Sequence, residues 1–241
     1  MQGYRNFGTK LWNAARFCEL QQCDLDPAFD PRSCRQTVNR WAIGKLAQAA
    51  ERARASLEAY RFNDAAGVLY HFTWDEFCDW YVELAKPLLA GKDQAARAET
   101  RACAAWILAK LLHLLHPLAP FITEELWQRR YGAPGGPLIA ASWPEPDPAL
   151  VDAEAEAEVD WLIRAIGAVR VARSELGVPP AAKLRLAVHD AAPATALRLR
   201  RHRDALLRLA RLSDLGTAEG SPPEGALQVI VDEATFALPL A

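Results

Sequence analysis

Apolar residues recur every third or fourth position through most of the first half of the chain, the spacing of helices that each bury one stripe. A first helix over 4–20 collects Phe7, Leu11, Ala14 and Cys18 on one side and Arg5, Thr9, Asn13 and Arg16 on the other. Phe17 belongs to neither set and projects about a quarter-turn from the apolar centre, level with Lys10. After a loop through Asp24, Asp26, Pro27 and Pro31, a long second helix carries Ile43, Leu46, Ala50, Ala53, Leu57 and Tyr60 in alternating steps of three and four, as bundles require. Asn63 or its neighbours break it.

The next helix is rich in aromatics and runs to about Leu89, with Gly91 as a C-cap. Wound at 3.6 residues per turn, it places Phe62, Ala66, Leu69, Thr73, Phe77, Trp80 and Leu84 on its core stripe. His71, Asp75, Asp79 and Val82 fall opposite, with Glu83 on a flank, so an apolar valine stands among charges on a face open to a partner. A fourth helix, 97–115, is apolar nearly all round and reads as central. Pro117 and Pro120 then turn the chain into a short helix, 121–130, with Thr123, Glu124 and Glu125 near its start as capping groups.

Gly132-Ala133-Pro134-Gly135-Gly136-Pro137 reads as a turn, and the closely spaced Pro144, Pro146 and Pro148 resist both helix and ladder. That stretch is an extended linker and places a boundary between domains 1–148 and 149–241. Beyond it, a helix over 152–176 buries Val159, Leu162, Ile163, Ile166 and Val169. Period-two alternation follows in Leu184, Leu186 and Val188, then an Arg-rich helix, then strand-like runs at 227–231 and 236–240, with 212–217 as a further strand. The fold class is mainly α: a helical bundle followed by a small α+β domain.

At 241 residues with 51% apolar content, the chain can bury a sizeable core. No apolar run approaches the roughly 18 residues of a membrane span, and the N-terminus lacks a secretion signal's apolar centre, so a cytoplasmic protein is expected; separately, a monomer is expected. Its five cysteines form no Cys-x-x-Cys pair, which argues for reduced thiols rather than a zinc site. His113 and His116 on a leucine-rich helix read as packed or capping groups, not ligands. The net charge of −2 hides a polarity: residues 1–61 hold ten Lys/Arg against six Asp/Glu, whereas 145–160 carry seven acids and no base. Arg198, Arg200, Arg201, Arg203, Arg208 and Arg211 read as a solvated helix face.

No nucleophile elbow, phosphate-binding glycine fingerprint or zinc-protease motif is present, which points to a binding module rather than an enzyme. Several blocks then carry a resemblance: Gly3-Tyr4-Arg5-Asn6-Phe7, Lys10-Leu11-Trp12-Asn13-Ala14-Ala15-Arg16-Phe17, the aromatic stretch 72–87, and 116–127 beginning His116-Pro117-Leu118-Ala119-Pro120-Phe121. In this order they resemble the valyl-tRNA synthetases, class I aminoacyl-tRNA synthetases, over essentially the whole chain. The isoleucine and leucine enzymes share the bundle but lack the Trp-x-x-Phe-Cys-Asp-Trp-Tyr block. The resemblance implies an anticodon-binding helical bundle whose partner is valine tRNA. The family's ATP and magnesium are handled in a catalytic domain by His-x-Gly-His and Lys-Met-Ser-Lys-Ser elements, neither of which is in this sequence. No cofactor is therefore expected here, nor activation of valine by this chain as it stands.

The resemblance further implies docking of the anticodon near the first helix and the aromatic helix. Reading splayed RNA bases needs an exposed aromatic, polar readers and basic positioning groups. Phe17 can stack, Val82 can pack on a base, and Glu83 can accept from an exocyclic amine. Lys10, Arg5 and Arg16 can meet phosphates, with Asn13 beside them. Plainer readings stand alongside: Phe17 as bundle packing, Glu83 as a surface carboxylate paired with Lys86 or Lys10, and Arg5 and Arg16 as solvated charges. Trp74, Trp80, Trp106 and Trp127 are assigned to core. The alternative function is a free-standing synthetase-derived module that binds another RNA or a protein.

Overall fold

The computed structural model describes residues 2–132 and 136–238, with side chains from Arg5 onward. The middle of the expected turn, 133–135, and residues 239–241, which include the end of the last expected strand, lie outside the described residues. By its contacts the chain divides into two compact units, Met1–Glu156 and Ala157–Ala241.

The first unit is built from α1 (Gln2–Leu20), α2 (Thr37–Glu58), α3 (Phe62–His71), a π-helical segment (Phe72–Tyr81), α4 (Val82–Ala90), α5 (Gln94–Leu115) and α6 (Pro120–Tyr131). Helix α5 is the central one: Ile107, Leu108, Leu111 and Leu112 are wholly buried, as its apolar composition requires. Asp93 caps its start by accepting from the amides of Ala95 and Ala96. Helix α1 ends with Gln22 in the left-handed region (φ 57°), and Cys23 N donates to Cys18 O at 2.9 Å, which brings two buried cysteines together at the helix end.

Three expected details change. Tyr60 is not on the buried stripe of α2: it closes that helix at φ 57° and stands 82% exposed, its ring edge-on to Phe62, which at the very start of α3 is exposed too rather than part of the core stripe. Thr123 and Glu124 do not cap α6 from its front. Thr123 Oγ1 donates back to Ala119 O at 2.9 Å, while Glu124 accepts from Leu138 N at 2.9 Å. Both lie inside the helix, too far along to reach its leading amides. Of the four tryptophans assigned to core, Trp127 is buried and Trp74, Trp80 and Trp106 are half-buried.

A polar hub ties the bundle together. Helix α2 has no capping side chain of its own, and Glu99 from α5 supplies one, accepting from Arg35 N, Gln36 N and Asn39 Nδ2, each at 2.9 Å. A carboxylate there meets the positive end of the helix dipole. Asn39, wholly buried, also donates to Thr100 Oγ1 (3.1 Å) and accepts from the Tyr81 hydroxyl (3.1 Å). Three separate stretches thus meet at one side chain.

The π-helical segment is the main departure from the expected winding. The Thr73 hydroxyl donates to Leu69 O at 2.6 Å, filling the acceptor that an α-helix would give to the Thr73 amide. The segment continues with wider turns, and Val82 N donates to Phe77 O, five residues back. Each extra residue in a turn sets the following side chains back by about 100°. Val82 therefore rotates inward and is only 8% exposed.

The acidic run that lacked partners nearby in sequence finds them across the fold. Arg32 pairs with Asp147, Arg40 with Asp152 at 2.7 Å, and Lys45 with Glu156 at 2.5 Å. These pairs hold the segment around the short helical turn Pro148–Leu150 against α2, where Gly44 permits close approach: a Cβ there would sit 3.3 Å from Leu150 O.

Helix α7 (Ala153–Glu175) leads into the second unit, where Trp161, Leu162, Ile166 and Val169 are wholly buried. Its sheet has the order β2-β1-β4-β3, from β1 (Leu184–His189), β2 (Leu212–Ala218), β3 (Leu227–Val231) and β4 (Ala234–Leu238). Strands β1 and β2 run parallel, joined through α8 (Pro193–Arg201) and α9 (Arg203–Leu209); the other pairings are antiparallel. The Arg-rich stretch is partly committed to internal contacts rather than simply solvated. Arg201 Nη1 donates to both carboxylate oxygens of Glu158 at 2.6 and 2.8 Å, Arg203 pairs with Asp214 at 2.7 Å, and Arg198 lies over Trp161.

Asn39→Leu should strand the Tyr81 hydroxyl and weaken the Glu99 cap, costing ~1–3 kcal/mol for each buried group left unpaired, whereas Tyr81→Phe should cost about 1 kcal/mol. Urea titration of both variants and their double mutant checks this, and the double mutant should cost less than the sum. A pH prediction comes from the second unit. His202 meets Glu158 at 2.7 Å, and burial lowers the affinity of its ring for a proton. Burial alone would raise the Glu158 carboxyl, but hydrogen bonds from Arg201 and His202 overcome it and hold it below its usual range. Both depressed groups contribute stability that is present at neutral pH and lost on acidification, His202 first below about 6.5 and Glu158 through the carboxylate range. With the intrinsic pH dependence of amide exchange divided out, the protection of residues 157–241 should fall between pH 7 and 5, and His202→Gln should flatten that dependence.

Candidate nucleic-acid interface

Helix α1 lies along the rod formed by the π-segment and α4, and residues one heptad apart on α1 face it at two levels. At the first level, Lys10 sits 3.7 Å from the centre of the Trp74 ring and pairs with Asp79 at 2.6 Å. Trp74 stacks on Tyr70 and Tyr70 on Phe7, with ring centres 5.7 and 5.3 Å apart, so a ladder of rings and one ammonium binds α1 to the rod. Cys78 packs beneath, its Sγ 4.0 Å from Lys10 O, and burial pushes its thiol up to about 12.

At the second level, Phe17 is half-buried, with Lys86 Nζ 5.6 Å from its ring centre. Lys86 also pairs with Glu83, three residues back on α4. The structure thus brings together Phe17 and Glu83, with Lys86 as the bridge. Both side chains are part-exposed, 28% for Lys86 and 34% for Glu83. An ion pair of that kind is worth ~0–1 kcal/mol. A carboxylate contact to a base edge carries ~1–3 kcal/mol of discrimination, so a nucleotide can displace Lys86 from Glu83 at little net cost.

The other expected site residues separate into two groups. Arg5, Asn13 and Arg16 are exposed on α1. Val82 is buried, because the π-segment rotates it inward, and it is not open to a base. Lys10 is accessible only in part, at 21% for its side chain, and is engaged by Asp79 and Trp74.

A model of the anticodon-binding domain of tRNA ligase matches residues 39–188. The chain belongs to that family. Over 246 aligned residues it is 50% identical to the valine–tRNA ligase of Caulobacter vibrioides, a match that takes in 100% of this chain and 27% of that protein. It is 46% identical to the valine–tRNA ligase of Agrobacterium fabrum, covering 99% of this chain and 25% of that protein. The corresponding enzyme of Bradyrhizobium diazoefficiens is 41% identical over 100% of this chain and 28% of its own length. The chain thus spans about a quarter of the length of the curated relatives it matches. The span matched by the anticodon-binding domain contains Glu83 and Lys86 but begins after α1, which the relatives do cover. Among the described residues no helix is long and apolar enough to cross a membrane, and no group of His, Cys, Asp and Glu side chains is placed to hold a metal ion.

Sequence reading alone gave Lys86 no role beyond a possible partner of Glu83, although its i, i+3 spacing from that residue was visible. The Lys10–Trp74–Tyr70–Phe7 ladder carries no comparable signal, since its members come from stretches far apart in sequence.

The two lysines should differ in stability. Lys86→Met removes one half-exposed ion pair and should change the unfolding free energy by under about 1 kcal/mol. Lys10→Met also removes a close cation–π contact worth ~0.5–2 kcal/mol and should be the more destabilising. Denaturant midpoints of the two variants measure the difference, and equal midpoints would show that the Trp74 contact adds nothing.

Proposed function

We propose that this chain binds the anticodon loop of valine tRNA and serves the aminoacylation of that tRNA. The observation that carries this reading is the convergence of Phe17 and Glu83 on one open face of the bundle, with Lys86 between them. Phe17 stacks on a base and Glu83 accepts from a base-edge amine. Asn13, Arg16 and Arg5 hold the sugar–phosphate backbone along the exposed side of α1. Lys10 is a positioning group that fixes α1 to the rod, and Val82 supports Glu83 from within the core. The names of the relatives support valine as the amino acid, and ATP and magnesium belong to a catalytic domain of the longer enzyme. We place the protein in the cytoplasm, as a monomer.

Valine anticodons end in adenine then cytosine. A carboxylate accepts from the cytosine N4 amine and repels the O4 that uracil presents at the same place. Gel-shift titration of this chain against a panel of tRNA transcripts should therefore show preference for the valine anticodon, and equal affinity for all of them would contradict the reading. Glu83→Gln keeps the shape and adds a donor, so it should narrow the cytosine-over-uracil advantage by ~1–3 kcal/mol at fixed salt. An unchanged ratio leaves Glu83 a surface charge. Phe17→Ala should weaken tRNA binding by ~1–3 kcal/mol without unfolding the bundle. Loss of thermal stability with unchanged affinity per folded molecule would return Phe17 to packing.

A further inference from the structure

On the side of α1 turned toward α6, a cleft of about 230 Å³ is lined by Trp12, Ala15, Arg16, Glu19, Leu126, Arg129 and Arg130. Three guanidinium groups and the Glu19 carboxylate line it, with Glu125 paired to Arg129 and the exposed Asp24 near Arg130. Each arginine is held differently. Arg16 is exposed and makes no ion pair among the described residues. Arg129 lies 4.8 Å from the centre of the Trp12 ring, with its Nε on Glu125 at 2.5 Å, so its plane is fixed in advance. Arg130 has a side chain only 9% exposed; its Nη2 donates to Cys23 O at 2.5 Å and its buried Nε has no partner. Its nearest carboxylate, Asp24, is 3.6 Å away and 83% exposed, so this buried charge has no buried counter-ion.

We propose that the cleft binds a backbone phosphate of single-stranded RNA. Planar guanidinium groups match the oxygens of a phosphodiester, and fixing one of them on an indole leaves less to order on binding. Arg16 precedes Phe17 on α1 and projects about 100° from it, so a strand whose base stacks on Phe17 reaches the cleft by running its backbone round the helix. Glu19 excludes a second anion and sets the capacity at one phosphate. This site rests on the tRNA reading for its natural ligand, but its chemistry requires only an RNA strand.

The test uses the whole 241-residue chain and two probes, valine tRNA and a decamer of uridylate, each titrated by filter binding over a range of salt. Arg16→Gln, Arg129→Gln and the double variant are compared with wild type, and Arg130 is left in place because it is buried. The double variant should bind both probes at least several-fold more weakly. Its slope of log affinity against log salt should be shallower by about 0.7, the value for one phosphate of a single strand. Its preference for the valine anticodon should not change. Lysine at both positions should restore the slope but only part of the affinity. Single Arg16→Gln, at an exposed position without an ion pair, carries the same test if the double variant melts early. Unchanged slopes overturn the proposal, as does failure of the wild-type chain to bind either probe. If decamer binding loses the slope while no tRNA is preferred, the cleft stands and the valine-tRNA reading falls.

Discussion

The hydrogen bond from the Tyr81 hydroxyl to Asn39 is the contact on which the placement of the interface depends. Both groups are wholly buried, and a buried hydroxyl without a partner costs ~1–3 kcal/mol, so the π-segment must end with Tyr81 facing α2. Everything after it inherits that phase. Val82 is carried into the core, and Glu83 and Lys86 remain on the surface toward Phe17. A standard α-helix through the same residues would have shown Val82 to solvent. The wider winding turns an apolar residue inward and leaves two charged ones beside an aromatic ring.

Around this hub the charges fall into two populations. Acids at the end of the first unit are matched by bases of its beginning, as in Arg40 with Asp152 and Lys45 with Glu156, and these pairs hold a proline-rich segment that has little periodic structure of its own. Part-buried pairs of this kind resist salt more than exposed ones. Arg5 and Arg16 enter no such pair among the described residues, and Lys86 enters a weak one. Basic groups on α1 and α4 are thus uncommitted or cheaply released, which is what association with a polyanion requires of a chain that is net acidic.

Much of this organisation was legible in the spacing of apolar residues. Helices α1, α2 and α5 follow their stripes, and β3 spans the run 227–231. Period and composition report local winding, and they failed where tertiary contact overrode it. Nothing in the residues 72–81 announced i→i+5 bonding, so the assumption of a constant 3.6 period misplaced Val82. Tyr60 fitted a stripe numerically and yet closes α2 in a left-handed turn. The Glu99 cap of α2 and the Trp12–Arg129 contact join residues remote in sequence, beyond what any periodicity encodes. Phe17 and Glu83 were identifiable as candidates because each sat off the apolar centre of its helix. Their bridge through Lys86 appeared only when the two helices were placed together.

The most direct measurement is zero-length photocrosslinking of valine tRNA, carrying 4-thiouridine in the anticodon loop, to the intact chain, with the crosslinked peptides read by mass spectrometry. Crosslinks should concentrate in peptides that contain Phe17 and in those that contain Glu83 and Lys86. Crosslinks confined to the Arg-rich residues 193–211, with none on α1 or α4, would contradict the placement of the anticodon on the bundle.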